Sequence, residues 1–236
     1  MHVTGLVPAT GPLDLAGAAL DDWLTERYAL DGSEWLRLNL ITALGGQITG
    51  PSGGSNDLAD GIDRPLLRVL RAAADVVLVG AASVRAEGYT IPRRAPLAVA
   101  TTTGDLAGHR FPADLGPGRL LVVCPESARP RVTAELGDRA TVLPLPDGSA
   151  GDVRAVVGAL RDAGHGRIVC EGGGHLASGL VAAGLVDEFD HSIAPVLVSP
   201  GAPLTTGDVP LTHATLTGLV LDETDRLYAR WALPRR

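Results

Sequence analysis

Between Arg167 and Val198 the chain runs from a short apolar segment, through a lone acid and three glycines, into a stretch of helical period. Ile168-Val169-Cys170 is too short for a helix and reads as a buried strand. Glu171 follows, then Gly172, Gly173 and Gly174, then Leu176, Leu180 and Val181 at helical spacing, ending at Gly184. Strand, glycines and helix start leave bare backbone N–H groups and the positive end of a helix facing one point. Two readings stay open on these residues: a tight strand-to-helix turn, or a cradle for an anionic group. The run is neither GxGxxG nor a P-loop. Glu171 stands at the carboxyl end of a strand that this pattern makes parallel, where ligands bind in open α/β sheets.

The same alternation recurs along the chain. Val76–Val79, Leu97–Ala100 and Leu120–Val123 are short apolar runs, and Thr141–Leu143 is a further strand. Periodic segments over Leu58–Ala74 and Val153–Ala163 predict amphipathic helices, with brief ones at Val84–Ala86 and Arg131–Leu136. Asp57 is placed to cap the first of these, and Pro65 suggests that its regular part starts there. Gly80-Ala81-Ala82-Ser83 makes a second strand–glycine–helix unit. Trp35–Ile41 alternates as a strand and leads into a glycine-rich loop over 45–56, long enough to be functional. Residues 1–12 read as a loose end, and Leu13–Leu30 as a helix. Asp187–Ile193 is a strand. Ala214–Leu221 and Leu227–Ala232 form a terminal antiparallel pair, joined at Asp222–Asp225. The expected fold is α/β, a mixed and mostly parallel central sheet flanked by helices and closed by a C-terminal antiparallel hairpin.

Composition narrows the chemistry. All 20 basic residues among the 236 are arginine, so a lysine Schiff base and a P-loop lysine are excluded, and any phosphate must be held by arginine or backbone. A net charge of −7 argues against nucleic acid or an anionic membrane as partner. No apolar run approaches ~20 residues, no signal peptide is visible, and the expected location is the cytoplasm. Cys124 and Cys170 read as buried free thiols. The six histidines lack metal-ligand spacing, so no metal site is expected; His175 stands out because it lies on the first turn of the glycine-started helix. Neither the HxE…PCxxC pair of a zinc deaminase nor GxSxG occurs.

Four blocks, in order over roughly Trp35 to Arg230, carry a resemblance. They are Leu38-Asn39-Leu40 with Ala43-Leu44-Gly45-Gly46; Leu70–Asp75 leading to Val79–Glu87; Glu171–Leu176; and Gly184–Glu188 with Ile193–Leu197. Together the chain resembles the pyrimidine reductases of riboflavin biosynthesis, which have a dihydrofolate reductase-like fold. That resemblance implies an NADPH-dependent oxidoreductase that reduces a ribosylaminopyrimidine 5′-phosphate, opening the ribose to ribitol. It implies a reductase domain over 35–236, preceded by an N-terminal extension over 1–34 that contains a helix. It also implies site residues. Ser55, Arg71, Ile91, Arg94 and Glu171 would meet substrate, with the two arginines on its phosphate and ribose chain and Glu171 on the pyrimidine. Gly80, Ser83, Glu87 and Thr102 would meet the cofactor. Gly173, Gly174, His175 and Leu176, in a stretch running to Gly179, would cradle its pyrophosphate. No catalytic residue is assigned.

Two departures stand against the pattern. Gly45 replaces the acid of the family's SxDG turn, and Asn39 replaces a basic residue that some bacterial members carry. Family members often carry a deaminase domain in front; about 34 residues precede the match, so deamination is expected to come from elsewhere or to be irrelevant to this chain. The departures keep a different heterocycle, pterin-like or other, and a non-catalytic nucleotide-binding role open as alternatives. A homodimer is expected from the resemblance. A second reason is the apolar strand Ala214–Leu221, which would aggregate if left as an uncovered sheet edge.

Overall fold

A computed structural model of the chain describes residues 1–234. They form one eleven-stranded sheet: β1 (His2–Val7), β2 (Ala9–Asp14), β3 (Trp35–Thr42), β4 (Val76–Gly80), β5 (Leu97–Ala100), β6 (Leu120–Pro125), β7 (Thr141–Leu145), β8 (Arg167–Cys170), β9 (Glu188–Ile193), β10 (Thr215–Asp222) and β11 (Leu227–Ala232). Their order across the sheet is β2-β1-β10-β11-β9-β3-β8-β4-β5-β6-β7. From β9 to β7 every pairing is parallel; from β9 to β2 every pairing is antiparallel.

Alternation along the parallel strands sends side chains to both faces, and both are covered. Leu36, Leu38, Val76, Leu78, Ile168 and Cys170 meet α5 (Val153–Asp162) and α6 (Gly174–Ala182) on one face. On the other, Val77, Val79, Leu97 and Val99 meet α3 (Ala81–Glu87) and α4 (Arg129–Leu136). Trp35, Val169, Val220 and Tyr228 meet α1 (Gly17–Arg27) and α2 (Asp63–Ala73) there too. Cys124 and Cys170 are buried and free. Among the described residues no helix is long and apolar enough to cross a membrane.

Three expectations are corrected. Residues 1–12 are no loose end: β1 and β2 form a hairpin, and β1 pairs with β10 from Val3↔Asp222 to Val7↔Leu219. That pairing covers the β10 edge, so the argument for a dimer from an open edge there fails. The first helix starts at Gly17 because Leu13 lies in β2. The helix expected from Leu58 starts at Asp63, and Asp57 instead accepts the Ser52 N–H at 2.7 Å.

The start of α2 is fixed from across the sheet. Asp222, at the end of β10, accepts the Ile62 N–H at 3.0 Å, the Thr224 hydroxyl at 2.6 Å and the Tyr228 hydroxyl at 2.8 Å. Gly61 permits the approach: its φ is +56°, and a Cβ there would sit 1.9 Å from Asp222 Oδ2. Burial pushes the Asp222 carboxyl up, but the bonds from Thr224, Ile62 and Tyr228 outweigh it and hold it below the ordinary aspartate range. A depressed folded-state value means stability that is present above the ordinary 3.8 and lost as pH falls through the folded value. Asp222→Ala is therefore expected to cost about 1–3 kcal/mol at neutral pH. Urea titrations below that range should show the gap to wild type closing.

Candidate active site

The carboxyl ends of the parallel strands open onto one cavity of about 700 Å³. It is lined from β3 by Asn39, from β4 and α3 by Gly80 and Ser83, from β5 by Ala100, from β6 by Val123 and from β7 by Leu145. Five strand-to-strand steps separate β3 from β7, so the cavity runs ~24 Å across the sheet. A cleft of that length at the strands' carboxyl ends suits an extended ligand of dinucleotide size.

Its middle is glycine-built. After β8 the backbone turns through Gly172 at φ +119° and Gly173 at φ +75°, which L side chains rarely adopt, and α6 begins at Gly174. The Gly80 N–H donates to the Gly172 carbonyl at 3.0 Å, which ties the two strand–glycine–helix units together. Ser83 faces this turn: a Cβ on Gly173 would come 3.3 Å from its Oγ. The open N-terminus of the nine-residue α6, with His175 and Leu176 on its first turn, lines the same wall.

Toward β3 the walls become acidic. Glu171 is almost fully buried, its side chain 3% exposed, and its two oxygens accept Nε and Nη2 of Arg71 in a fork, each at 2.6 Å. The Tyr89 hydroxyl donates a very short bond to the same carboxylate. Burial, with the neighbouring Glu171 charge, pushes the Tyr89 phenol well above its ordinary value, so it stays a donor. Burial works against the Arg71 charge, but Glu171 outweighs it and raises the guanidinium above its ordinary range. Glu87 accepts the Ser55 hydroxyl at 2.8 Å. Asp63, on the first turn of α2, lines the cavity beside the apolar Leu67.

The structure brings ten of the sequence-predicted positions to this one cavity: Ser55, Gly80, Ser83, Glu87, Thr102, Glu171, Gly173, Gly174, His175 and Leu176. Arg71 reaches it only through Glu171. Two further positions lie outside its lining. Arg94 is exposed and does not line the cavity; its carbonyl accepts from Arg119. Ile91 is half-buried against the core beneath α3, and is not a cavity wall. Asp63 and Tyr89 were not singled out by sequence. Asp63 reads there as an ordinary first-turn acid, and nothing near Tyr89 announces a partner 82 residues away.

Comparison with known proteins follows the same line. The family model described as the RibD C-terminal domain matches residues 34–228. A pyrimidine reductase-like protein of Corynebacterium diphtheriae is 25% identical, with a TM-score of 0.73 over 86% of this chain and 93% of its own. A diaminohydroxyphosphoribosylaminopyrimidine deaminase/5-amino-6-(5-phosphoribosylamino)uracil reductase of Thermotoga maritima shares the fold at 17% identity and a TM-score of 0.68; the match covers 85% of this chain but only 57% of that one. The riboflavin biosynthesis reductase Rib7 of Saccharomyces cerevisiae shares it at 14% identity and a TM-score of 0.63, over 91% and 97% of the two chains. No curated protein matches by sequence. The match runs from β3 into the start of β11 and takes in every residue that lines the cavity, and the chain belongs to the RibD C-terminal domain family.

Proposed function

We propose that this chain is an NADPH-dependent reductase of an aminopyrimidine-type heterocycle, working in the cytoplasm in the chemistry of riboflavin biosynthesis. The observation that carries the reading is the glycine turn Gly172–Gly174 facing Ser83 at mid-cavity, with the α6 N-terminus open beside it. Bare N–H groups, a helix end and no lysine suit a pyrophosphate held by backbone. Gly80 and Ser83 would flank it, His175 and Leu176 would close over it, and Thr102 would meet the nucleoside half toward β5 and β6. When bound, the nicotinamide supplies the hydride. The chain's own part is to position the substrate ring against it and to exclude water, through the Arg71–Glu171–Tyr89 set and the apolar walls of Ile48 and Leu67.

The test follows NADPH absorbance with a panel of aminopyrimidines, the ribosylaminopyrimidine 5′-phosphate of riboflavin biosynthesis among them. Turnover with at least one member is expected. Tight NADPH binding with no turnover across the panel would favour a nucleotide-binding sensor instead.

The reading includes a homodimer. Leu44, Val196 and Leu197 are exposed, at 60%, 36% and 80%, and the Leu44 N–H bond to the Val196 carbonyl draws them together. The half-buried Phe189 and Ile193 of β9 and Leu219 and Leu221 of β10 extend the apolar surface. Sedimentation at micromolar concentration should give twice the 24.3 kDa chain mass. A single-chain mass would remove the dimer from the account.

A further inference from the structure

Glu171 is nearly saturated by the chain's own donors. A carboxylate offers about four lone-pair sites on its two oxygens. Nε of Arg71 takes one on Oε1, Nη2 of Arg71 takes one on Oε2, and the Tyr89 hydroxyl takes the second on Oε2. A single site is left, on Oε1. Arg71 cannot yield to a ligand, because its departure would strand a carboxylate that is 3% exposed without its cation. Tyr89 can. It follows Gly88, which closes α3 at φ +61°, and stands in the irregular connector between α3 and β5. Its ring lines the cavity with its centroid 5.7 Å from the Arg71 guanidinium. One phenol therefore decides how many donors Glu171 accepts from a ligand.

We propose that Tyr89 sets specificity at the substrate end by leaving Glu171 one free acceptor site. The ring edge that meets this carboxylate then carries a single N–H, as in a pyrimidinedione, and not the paired N–H groups of a 2-amino ring. The inference rests on the reductase reading, which puts the substrate ring at Glu171, and it adds what that ring must present. A lone N–H takes the free site on Oε1 and leaves the phenol where it is. Two parallel N–H groups span both oxygens, as a guanidinium does, and need the site on Oε2 that Tyr89 fills. Such a ring binds only by turning the phenol out, and so forfeits a hydrogen bond to a buried charge. Burial and the Glu171 charge keep the phenol protonated, so the block holds through neutral pH.

Uracil and isocytosine differ by one exocyclic group, a carbonyl oxygen in the first and an amino group in the second, and so separate the two edges. Calorimetric titration of each into wild type and into Tyr89→Phe gives two ratios of Kd. The ratio should move toward isocytosine by ~10-fold or more in Tyr89→Phe, the size of one hydrogen bond to a charged group. An unmoved ratio would overturn the inference. So would an equal loss of affinity for both rings, which would make the phenol a support for Glu171 and nothing more. Crystal structures of wild type with each ring need no variant, so a folding defect in Tyr89→Phe would not shelter the idea. Uracil should leave the Tyr89–Glu171 bond intact, and isocytosine seated on Glu171 should break it. Paired N–H groups on Glu171 beside an intact phenol bond would overturn the inference. Uracil bound away from Glu171 would remove the substrate role of that residue and the inference with it, whereas rings on Glu171 with an unmoved ratio remove the inference alone.

Discussion

Arg37→Leu is expected to lower the unfolding free energy by about 3–5 kcal/mol, the cost of breaking a buried ion pair from one side. Arg37 is 0% exposed at the centre of β3. Its Nη2 donates to Glu188 at 2.6 Å and to the Tyr28 carbonyl at 2.8 Å, and its Nε stands 2.8 Å from Asp190. The Asp190 contact is an ion pair without hydrogen-bond geometry, so neither carboxylate oxygen is otherwise satisfied. Arg230 of β11 closes the cluster on Glu188 at 2.6 Å, stacked over the Tyr28 ring. Two arginines face two acids, and burial still pushes Asp190 up against the pull of Arg37. Removing Arg37 leaves two acids for one cation beneath α1. Arg37→Leu combined with Asp190→Leu removes one charge of each sign and should recover much of the loss. Denaturant titrations of both variants decide. A loss below about 1 kcal/mol for Arg37→Leu, in the range of surface pairs, would mean that water reaches the cluster.

Ser83→Asp should weaken NADPH binding by several kcal/mol, a hundredfold or more in Kd, because it sets a carboxylate against the pyrophosphate in a partly desolvated cleft. Ser83 suits this test better than the glycines do. Gly173 sits at φ +75°, so a side chain there would strain the turn itself and blur lost binding with lost fold. Ser83 has an ordinary helical backbone within α3, so its replacement leaves the turn intact. Fluorescence titration of NADPH against both proteins measures the ratio, with unfolding midpoints as the control. An unchanged Kd would move the pyrophosphate away from the Gly172–Gly174 turn.

Much of this architecture was legible because it is local. Val76–Val79, Leu97–Ala100 and Ile168–Cys170 are short, wholly apolar and bounded by turn residues, and each became a parallel strand covered on both faces. The glycines after Ile168–Cys170 were legible for the same reason. What stayed hidden depends on distant partners. The N-terminal hairpin buries Val3 only because β10 arrives from more than two hundred residues away, and nothing within 1–12 records that. Arg37 sits in an alternating strand where a charge suggests solvent; Glu188 and Asp190, which allow its burial, lie some 150 residues on. The arginines show the same limit. Arg71 and Arg94 look equivalent in sequence, but α2 carries one to Glu171 while the loop before β5 leaves the other in solvent. Asp63 owes its place to Asp222, which fixes where α2 begins.

The account stands most directly on where the dinucleotide lies, so a crystal structure of the NADPH complex is the measurement to make. It should show the pyrophosphate within hydrogen-bond distance of the backbone N–H groups at Gly173–His175 and beside Ser83. The nicotinamide should point toward Glu171 and Asp63, and the adenosine should lie toward β5 and β6. A dinucleotide bound outside the cavity, or one lying in it with the nicotinamide toward β6, would contradict the account.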